Sequence, residues 1–420
     1  MSDFYSKRDT CRLCGSKHLD VAVPLAPMPI ATTNFLLPGF DRSHPVFKQP
    51  VPLDLMFCRE CGLLQVVHIG NPELQYRNYI YTTSISLGLR EHFAAYTREV
   101  VATIQPQPGA LVVEMGSNDG TLLGFFKELG LSVQGVDPAT EIARQATVGG
   151  IPTLGTFFNQ NSAAQILAER GPAALIIANN VLANIDDLSG VTAGIRTLLT
   201  PDGVFVFETQ YGADVIEKNL LDTVYHEHLS YFDITPLHKY FAANCLRIID
   251  VQRIWTKGGS IRVMVQRAEC SRAERPSVAA FLAEEQAKGM FKPAYYRQLT
   301  SRLAKVQNDL AKIVGEEKAK GKKICGYGAS VGTTALLPQF KVAQDIDVIF
   351  DDDPKKGSLL SGPDYDIPIV SSEKLAEMNP GAVIVFAWRY IDTIVARNKK
   401  YINNGGKFII PLPDVSIERG

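Results

Sequence analysis

Two C-x-x-C pairs open the chain, Cys11 with Cys14 and Cys58 with Cys61. Four thiolates from two such knuckles close a tetrahedral shell around one Zn²⁺, and a closed shell leaves no position for water or substrate, so the metal is read as structural. Gly15 and Gly62 follow the pairs directly, letting the chain fold back so that backbone N–H groups point at sulfur. A second group of chemistry-bearing residues is Glu114-Met115-Gly116-Ser117-Asn118-Asp119-Gly120, and a third is Tyr225-His226-Glu227-His228-Leu229-Ser230-Tyr231-Phe232. The third is no zinc-peptidase signature, which needs histidines four apart on one helical face. His226 and His228 are two apart and share a face only in extended chain, so at most one is expected to be a base. A histidine near its ordinary pKa of ~6.5 can remove a proton at neutral pH, with Tyr225 or Glu227 orienting it or its substrate. The competing reading is a hydrogen-bonded structural pair.

These groups need elements to hold them. Leu111 to Met115, Ser132 to Val136, Ala174 to Ala178 and Val204 to Glu208 read as buried parallel strands separated by helices, which predicts a doubly wound α/β unit. A helix is expected from Arg90 to Ile104, ended by the breaker Gln105-Pro106-Gln107-Pro108-Gly109. A long helix is expected over Tyr295 to Lys318. A second α/β unit follows, with strands at Lys323 to Tyr327, Asp345 to Phe350, Ala382 to Ala387 and Lys407 to Pro411. The resulting α/β organisation is a metal-dependent module over 1–75, a Rossmann-like unit over 76–275, a helical linker over 276–320 and a second Rossmann-like unit over 321–420.

Gly116 to Gly120 lies where a strand turns into a helix, at the carboxyl end of the first sheet, where glycine lets backbone approach a ligand. Asp137 closes the next strand, before Pro138 and about twenty residues after Gly116, and can accept both hydroxyls of a ribose. The run lacks the second and third glycines that accommodate a pyrophosphate, so S-adenosylmethionine is the better ligand. Phe157 and Phe158 are candidates to pack on adenine, or are simply core.

The 420 residues, 46% hydrophobic and 21% charged with a formal net charge of -1, suit a globular protein of two or three domains. Balanced charge disfavours nucleic acid as a partner. No apolar run approaches the ~20 residues a membrane helix needs. Metal-bound cysteines and an N-terminus without an apolar stretch predict a cytoplasmic location.

The sequence resembles, over nearly its whole length, the zinc-containing C-methyltransferases that act on nucleotide-linked ketosugars. The resemblance is carried by the two Cys-x-x-Cys-Gly motifs, Tyr79-Ile80-Tyr81-Thr82-Thr83-Ser84, Val113 to Gly120, Asn179-Asn180-Val181, Tyr225 to Phe232 and Gly326-Tyr327-Gly328-Ala329-Ser330. It implies structural zinc, a class I methyltransferase domain holding S-adenosylmethionine, and a C-terminal domain that helps hold a sugar nucleotide. His228 is then the base, with Tyr225, Glu227, Tyr79 and Asn184 in the catalytic set. Glu114 to Gly120, Asp137, Pro138, Phe158 and Asn179 serve the cofactor. Tyr81, Asn180, Tyr327 to Ser330, Trp388 and Arg389 serve the substrate, with N–H groups near Ser330 facing phosphate. A monomer or weak homodimer is expected.

Two positions depart from the family. Asn184 stands where a histidine is common, and donates a hydrogen bond without carrying charge. Val331 stands where a lysine is common, which puts the diphosphate contact in question. Methylation at oxygen or nitrogen, a ketone outside sugar chemistry, and a non-catalytic binder of zinc and adenosine ligands are the rival readings.

Overall fold

Leu111, Val112, Val113 and Met115 are buried on both faces of their strand, as expected where helices cover a parallel sheet on both sides. This strand, β1 (Leu111–Met115), is central in a seven-stranded sheet of the computed structural model, which describes residues 4–30, 44–77 and 88–419. Its companions are β2 (Ser132–Val136), β3 (Thr153–Leu154), β4 (Ala173–Asn179), β5 (Leu199–Gln210), β6 (Leu246–Ile254) and β7 (Ser260–Arg267). The order is β6-β7-β5-β4-β1-β2-β3, parallel except for β7, which is antiparallel to β5 and β6. The chain leaves β1 for β2 on one side and later returns as β4 on the other. A crevice therefore opens at the carboxyl ends of β1 and β4, the switch point at which such sheets bind ligands.

A second sheet contains β8 (Ile324–Tyr327), β9 (Ile346–Asp351), β10 (Leu359–Ser361), β11 (Asp366–Ser371), β12 (Ala382–Val385), β13 (Lys407–Ile410) and β14 (Ser416–Arg419). Its order is β10-β11-β9-β8-β12-β13-β14, with a parallel centre and antiparallel edges. Its own switch point lies between β8 and β12. The strands expected from apolar runs are all present, with ends displaced by a few residues at most except at the start of β5. The β6–β7 hairpin was not read from the sequence, because Arg247, Asp250, Arg253, Arg262 and Arg267 interrupt its apolar pattern. The long helix runs Gln298–Ala319, preceded by a separate short turn, Pro293–Tyr296, that Pro293 initiates.

The N-terminal residues form a small four-stranded sheet from Leu19–Val23, Leu55–Cys58, Leu64–Val66 and Ser230–Tyr231. The last strand comes from the segment after β5. Thus the cysteine module and the Tyr-His-Glu-His segment share one sheet. Helix Pro276–Lys288 packs on β6 and on helix Ile234–Ala243. Its Glu285 accepts hydrogen bonds from the Ile234 and Thr235 N–H groups, capping that second helix.

Candidate active site

The four cysteine sulfurs lie within 4.8 Å of one another, with Cys11 to Cys61 at 3.4 Å and Cys14 to Cys58 at 3.5 Å. A tetrahedral Zn–S₄ centre needs sulfurs about 3.8 Å apart, given Zn–S bonds of about 2.3 Å. The residues therefore fit one zinc. Gly15 and Gly62 have φ of 73° and 92°, and their N–H groups bond back to the carbonyls of Cys11 and Cys58. The hydrogen bond between Cys11 and Cys61 pushes the first thiol down and the second up, so the two share a proton that a metal would displace.

At the first switch point Gly116 has φ of 66°, and a Cβ there would lie 2.5 Å from a Val181 methyl. Asn118 also takes a positive φ, 49°. Asp137 organises the turn: it accepts the Asn118 N–H at 2.8 Å and the Ala139 N–H at 2.8 Å. Glu114 is buried, and burial with Asp137 and Asp119 nearby pushes its carboxyl well above the usual carboxylate range. Buried polar atoms without a partner among the described residues gather at these strand ends: Glu114 Oε2, Ser117 Oγ, Asn184 Oδ1, Thr209 Oγ1 and Gln210 Nε2. Buried polar groups are normally paired, so this concentration fits a polar ligand in the crevice. The acidic Asp137 and Asp119 beside Glu114 suit a ligand with sulfonium and ammonium charges better than a pyrophosphate. Asn179 closes β4 with its Oδ1 accepting the Glu208 N–H at 3.1 Å, and Asn180 turns the chain with φ of 57°.

Phe158 is buried. It belongs to the hydrophobic core and packs on Gly194, whereas Phe157 is half-buried with the Arg77 guanidinium 5.0 Å over its ring. Pro138 is half-buried beside Asp137. Tyr79 and Tyr81 lie outside the described residues.

The two histidines separate clearly. His226 is fully buried, and its Nε2 donates to the Pro52 carbonyl at 3.0 Å, tying the segment to the cysteine module. His228 is half-buried, and its Nδ1 donates to the Thr223 carbonyl at 2.7 Å. A neutral ring with its proton on Nδ1 has its lone pair on Nε2. The Tyr225 hydroxyl lies 3.2 Å from that atom, and the two rings pack with centroids 4.3 Å apart, tilted by 33°. Burial, followed by the positive charge of Lys257, pushes His228 down to about 4. Glu227 is buried and also acts on Lys257. Leu229 N–H bonds the Ala183 carbonyl at 2.8 Å, which brings Asn184 alongside the histidine segment.

Lys257 carries no signal in an isolated Lys-Gly-Gly and was missed from the sequence. Its backbone has φ of 54° in the tight β6–β7 turn, an uncommon conformation for a non-glycine residue. It is exposed at the surface, yet surrounding protein lowers its ammonium pKa, with Glu227 opposing and Arg389 adding to that effect. Arg12 was also missed in this role: from within the first knuckle its guanidinium reaches Asp186 at 2.9 Å, Gln65 at 3.1 Å and the Leu229 carbonyl at 3.1 Å.

The C-terminal residues are differently disposed from the expectation. Tyr327 is buried and donates to Asp352 at 2.8 Å, within its own domain. Gly328 has φ of 92°, and a Cβ there would lie 2.6 Å from Ala387. The Ala329 N–H bonds Asp351 at 2.7 Å, and Lys356 neutralises the same carboxylate at 2.7 Å. Ser330 and Thr333 cap their helix Val331–Phe340 reciprocally, and the Asp222 carbonyl lies against Gly332 in its first turn. The Ser330 hydroxyl is thus engaged in its own helix cap. Trp388 is half-buried, and Arg389 lies over its ring while forming an ion pair with Asp222.

Over 421 aligned residues the chain is 33% identical to C-methyltransferase NovU of Streptomyces niveus, covering 99% of this chain and 98% of that relative. The chain belongs to the zinc-containing, S-adenosylmethionine-dependent C-methyltransferase family. Three family models match this C-methyltransferase in succession: a zinc-binding domain over 11–76, a methyltransferase domain over 89–251 and a C-methyltransferase C-terminal domain over 255–413. The ubiquinone biosynthesis O-methyltransferase of Burkholderia thailandensis is 25% identical over 35% of this chain and 68% of its own. Magnesium protoporphyrin IX methyltransferase from Synechocystis PCC 6803, solved with S-adenosylmethionine bound, superposes with a TM-score of 0.33 at 15% identity, over 43% of this C-methyltransferase and 80% of that chain. The expected methyltransferase class, the methyl donor and one zinc are borne out. No helix among the described residues is long and apolar enough to cross a membrane.

Proposed function

We propose that this C-methyltransferase methylates the carbon next to a ketone of a nucleotide-linked sugar, with His228 as the base. The observation that carries the reading is the hydrogen bond from His228 Nδ1 to the Thr223 carbonyl. It holds the ring in the tautomer whose Nε2 can take a proton, beside the methyl-donor crevice. The donor, when bound, supplies an electrophilic methyl on sulfur. Glu114 and Asp137 hold and orient it. His228 Nε2 removes the proton from the acidic carbon, and the electron pair moves onto the ketone oxygen. That carbon then bonds the methyl group, the C–S pair stays on sulfur, and the ketone reforms. Lys257 and Asn184 flank this segment and are suited to the charge that builds on oxygen. An anionic substrate facing Lys257 would offset its charge and raise the low proton affinity of His228 on binding. The sugar-nucleotide part of the reading is supported by the motif resemblance and by the second α/β unit beside the same segment.

The test is incubation with isotopically methyl-labelled donor and dTDP-, GDP- and UDP-linked ketosugars, with mass spectrometry and NMR of products. A new methyl bonded to carbon is expected from one nucleotide class. His228→Gln should lower kcat by roughly 10²–10⁴-fold with donor affinity retained. Intact turnover in that variant would remove His228 as the base, and transfer only to non-sugar ketones would overturn the substrate class.

A further inference from the structure

The segment carrying His228 touches both flanking units. Toward the C-terminal unit, Asp222 forms a two-pronged ion pair with Arg389, from Nη2 to Oδ1 at 3.1 Å and from Nη1 to Oδ2. The Arg389 guanidinium lies over the Trp388 ring, its central carbon 4.5 Å from the centroid. Asp222 is half-buried while Arg389 is exposed, so the pair stands on its two-pronged geometry rather than on shelter from solvent. The Asp222 carbonyl meanwhile abuts Gly332, where an added Cβ would lie 2.9 Å away. The next residue, Thr223, supplies the carbonyl that holds His228 Nδ1.

We infer that Asp222 and Arg389 are a positioning pair through which the C-terminal α/β unit sets the orientation and tautomer of His228. The inference rests on His228 being the base. Its route is short: Arg389 fixes Asp222, Asp222 places the Thr223 carbonyl, and that carbonyl decides which ring nitrogen keeps the proton. Arg389 thereby acts on the reaction through the histidine and is not spent on the substrate. A loss of alignment at the base costs rate while leaving substrate affinity nearly unchanged, whereas a lost phosphate contact costs affinity.

The experiment uses full-length, zinc-loaded protein as Arg389→Gln, Asp222→Asn and the double variant. Steady-state kinetics are measured with the accepted ketosugar, and ¹⁵N spectra of labelled imidazoles report the His228 tautomer. Each single variant should lose roughly 10- to 100-fold in kcat with acceptor KM within about twofold. The double variant should be no worse than either single, and Arg389→Lys should recover part of the rate. The ¹⁵N shifts should move from an Nδ1–H ring toward a tautomer mixture. An Arg389→Gln variant that raises KM while Asp222→Asn changes nothing would make Arg389 a substrate contact and overturn the inference. An unchanged tautomer in folded variants would do the same. Should wild-type protein transfer methyl to no ketosugar, the functional reading falls alone, because the ¹⁵N spectra still decide whether the pair orients His228.

Discussion

Two histidines separated by one residue do different work here, and hydrogen bonding separates them. His226 spends its Nε2 on Pro52 inside the protein, whereas His228 spends Nδ1 on Thr223 and leaves its Nε2 facing the Tyr225 hydroxyl. From spacing alone either could have been the base, because a sequence does not record which carbonyl lies opposite a ring nitrogen. The same limit hid Lys257, whose relation to Glu227 and His228 is established only once the β6–β7 turn closes. The lysine's charge repels an imidazolium, so it lowers the pKa of His228. Lys257→Met removes that repulsion, raises this pKa, and should move the acid limb of kcat/KM, where the base must be neutral, to higher pH. A pH profile with an unmoved acid limb would show that Lys257 does not act on the base. The cysteines, by contrast, were legible outright, since two C-x-x-C-Gly knuckles have few other uses.

The strand-turn-helix from β1 into helix Thr121–Glu128 was legible because buried parallel strands are short apolar runs and the glycines mark where the turn must close. Its chemistry depends on a backbone shape that a side chain would spoil. Gly116→Ala combines a strained φ of 66° with a Cβ only 2.5 Å from a Val181 methyl. It should cost about 1–3 kcal/mol of stability and weaken donor binding, checked by thermal melting and calorimetric titration. The strand Ser230–Tyr231 was not legible. It has two residues, and its partners Leu64 and Gln65 lie far away in sequence, so no local pattern announces it. The β6–β7 hairpin was lost for another reason: its buried Arg262 pairs with Glu208, and a charge inside a strand reads as surface until its partner is known.

At the scale of the whole molecule the zinc module supports the active segment. Arg12 and Val66 both bond the Leu229 carbonyl, so the knuckle braces the chain immediately after His228. Removing zinc with a strong chelator should therefore lower methyl transfer by roughly 10-fold or more while donor affinity changes little, because Asp137 and Gly116 are held by β1 and β2. Calorimetry and turnover on the same metal-depleted sample check this, and a parallel loss of both would mean that the module supports the donor domain as well.

The shared sheet also imposes an order on how the chain is assembled. Leu64, Gln65 and Val66 are fully buried, and their free side is covered by Ser230 and Tyr231, which leave the ribosome much later. Until then the newborn module carries a bare, sticky sheet edge of the kind that pairs with neighbouring chains. The N-terminal piece is consequently a poor candidate for expression by itself, and a polysome crowded with half-made copies is where this protein is most exposed to aggregation.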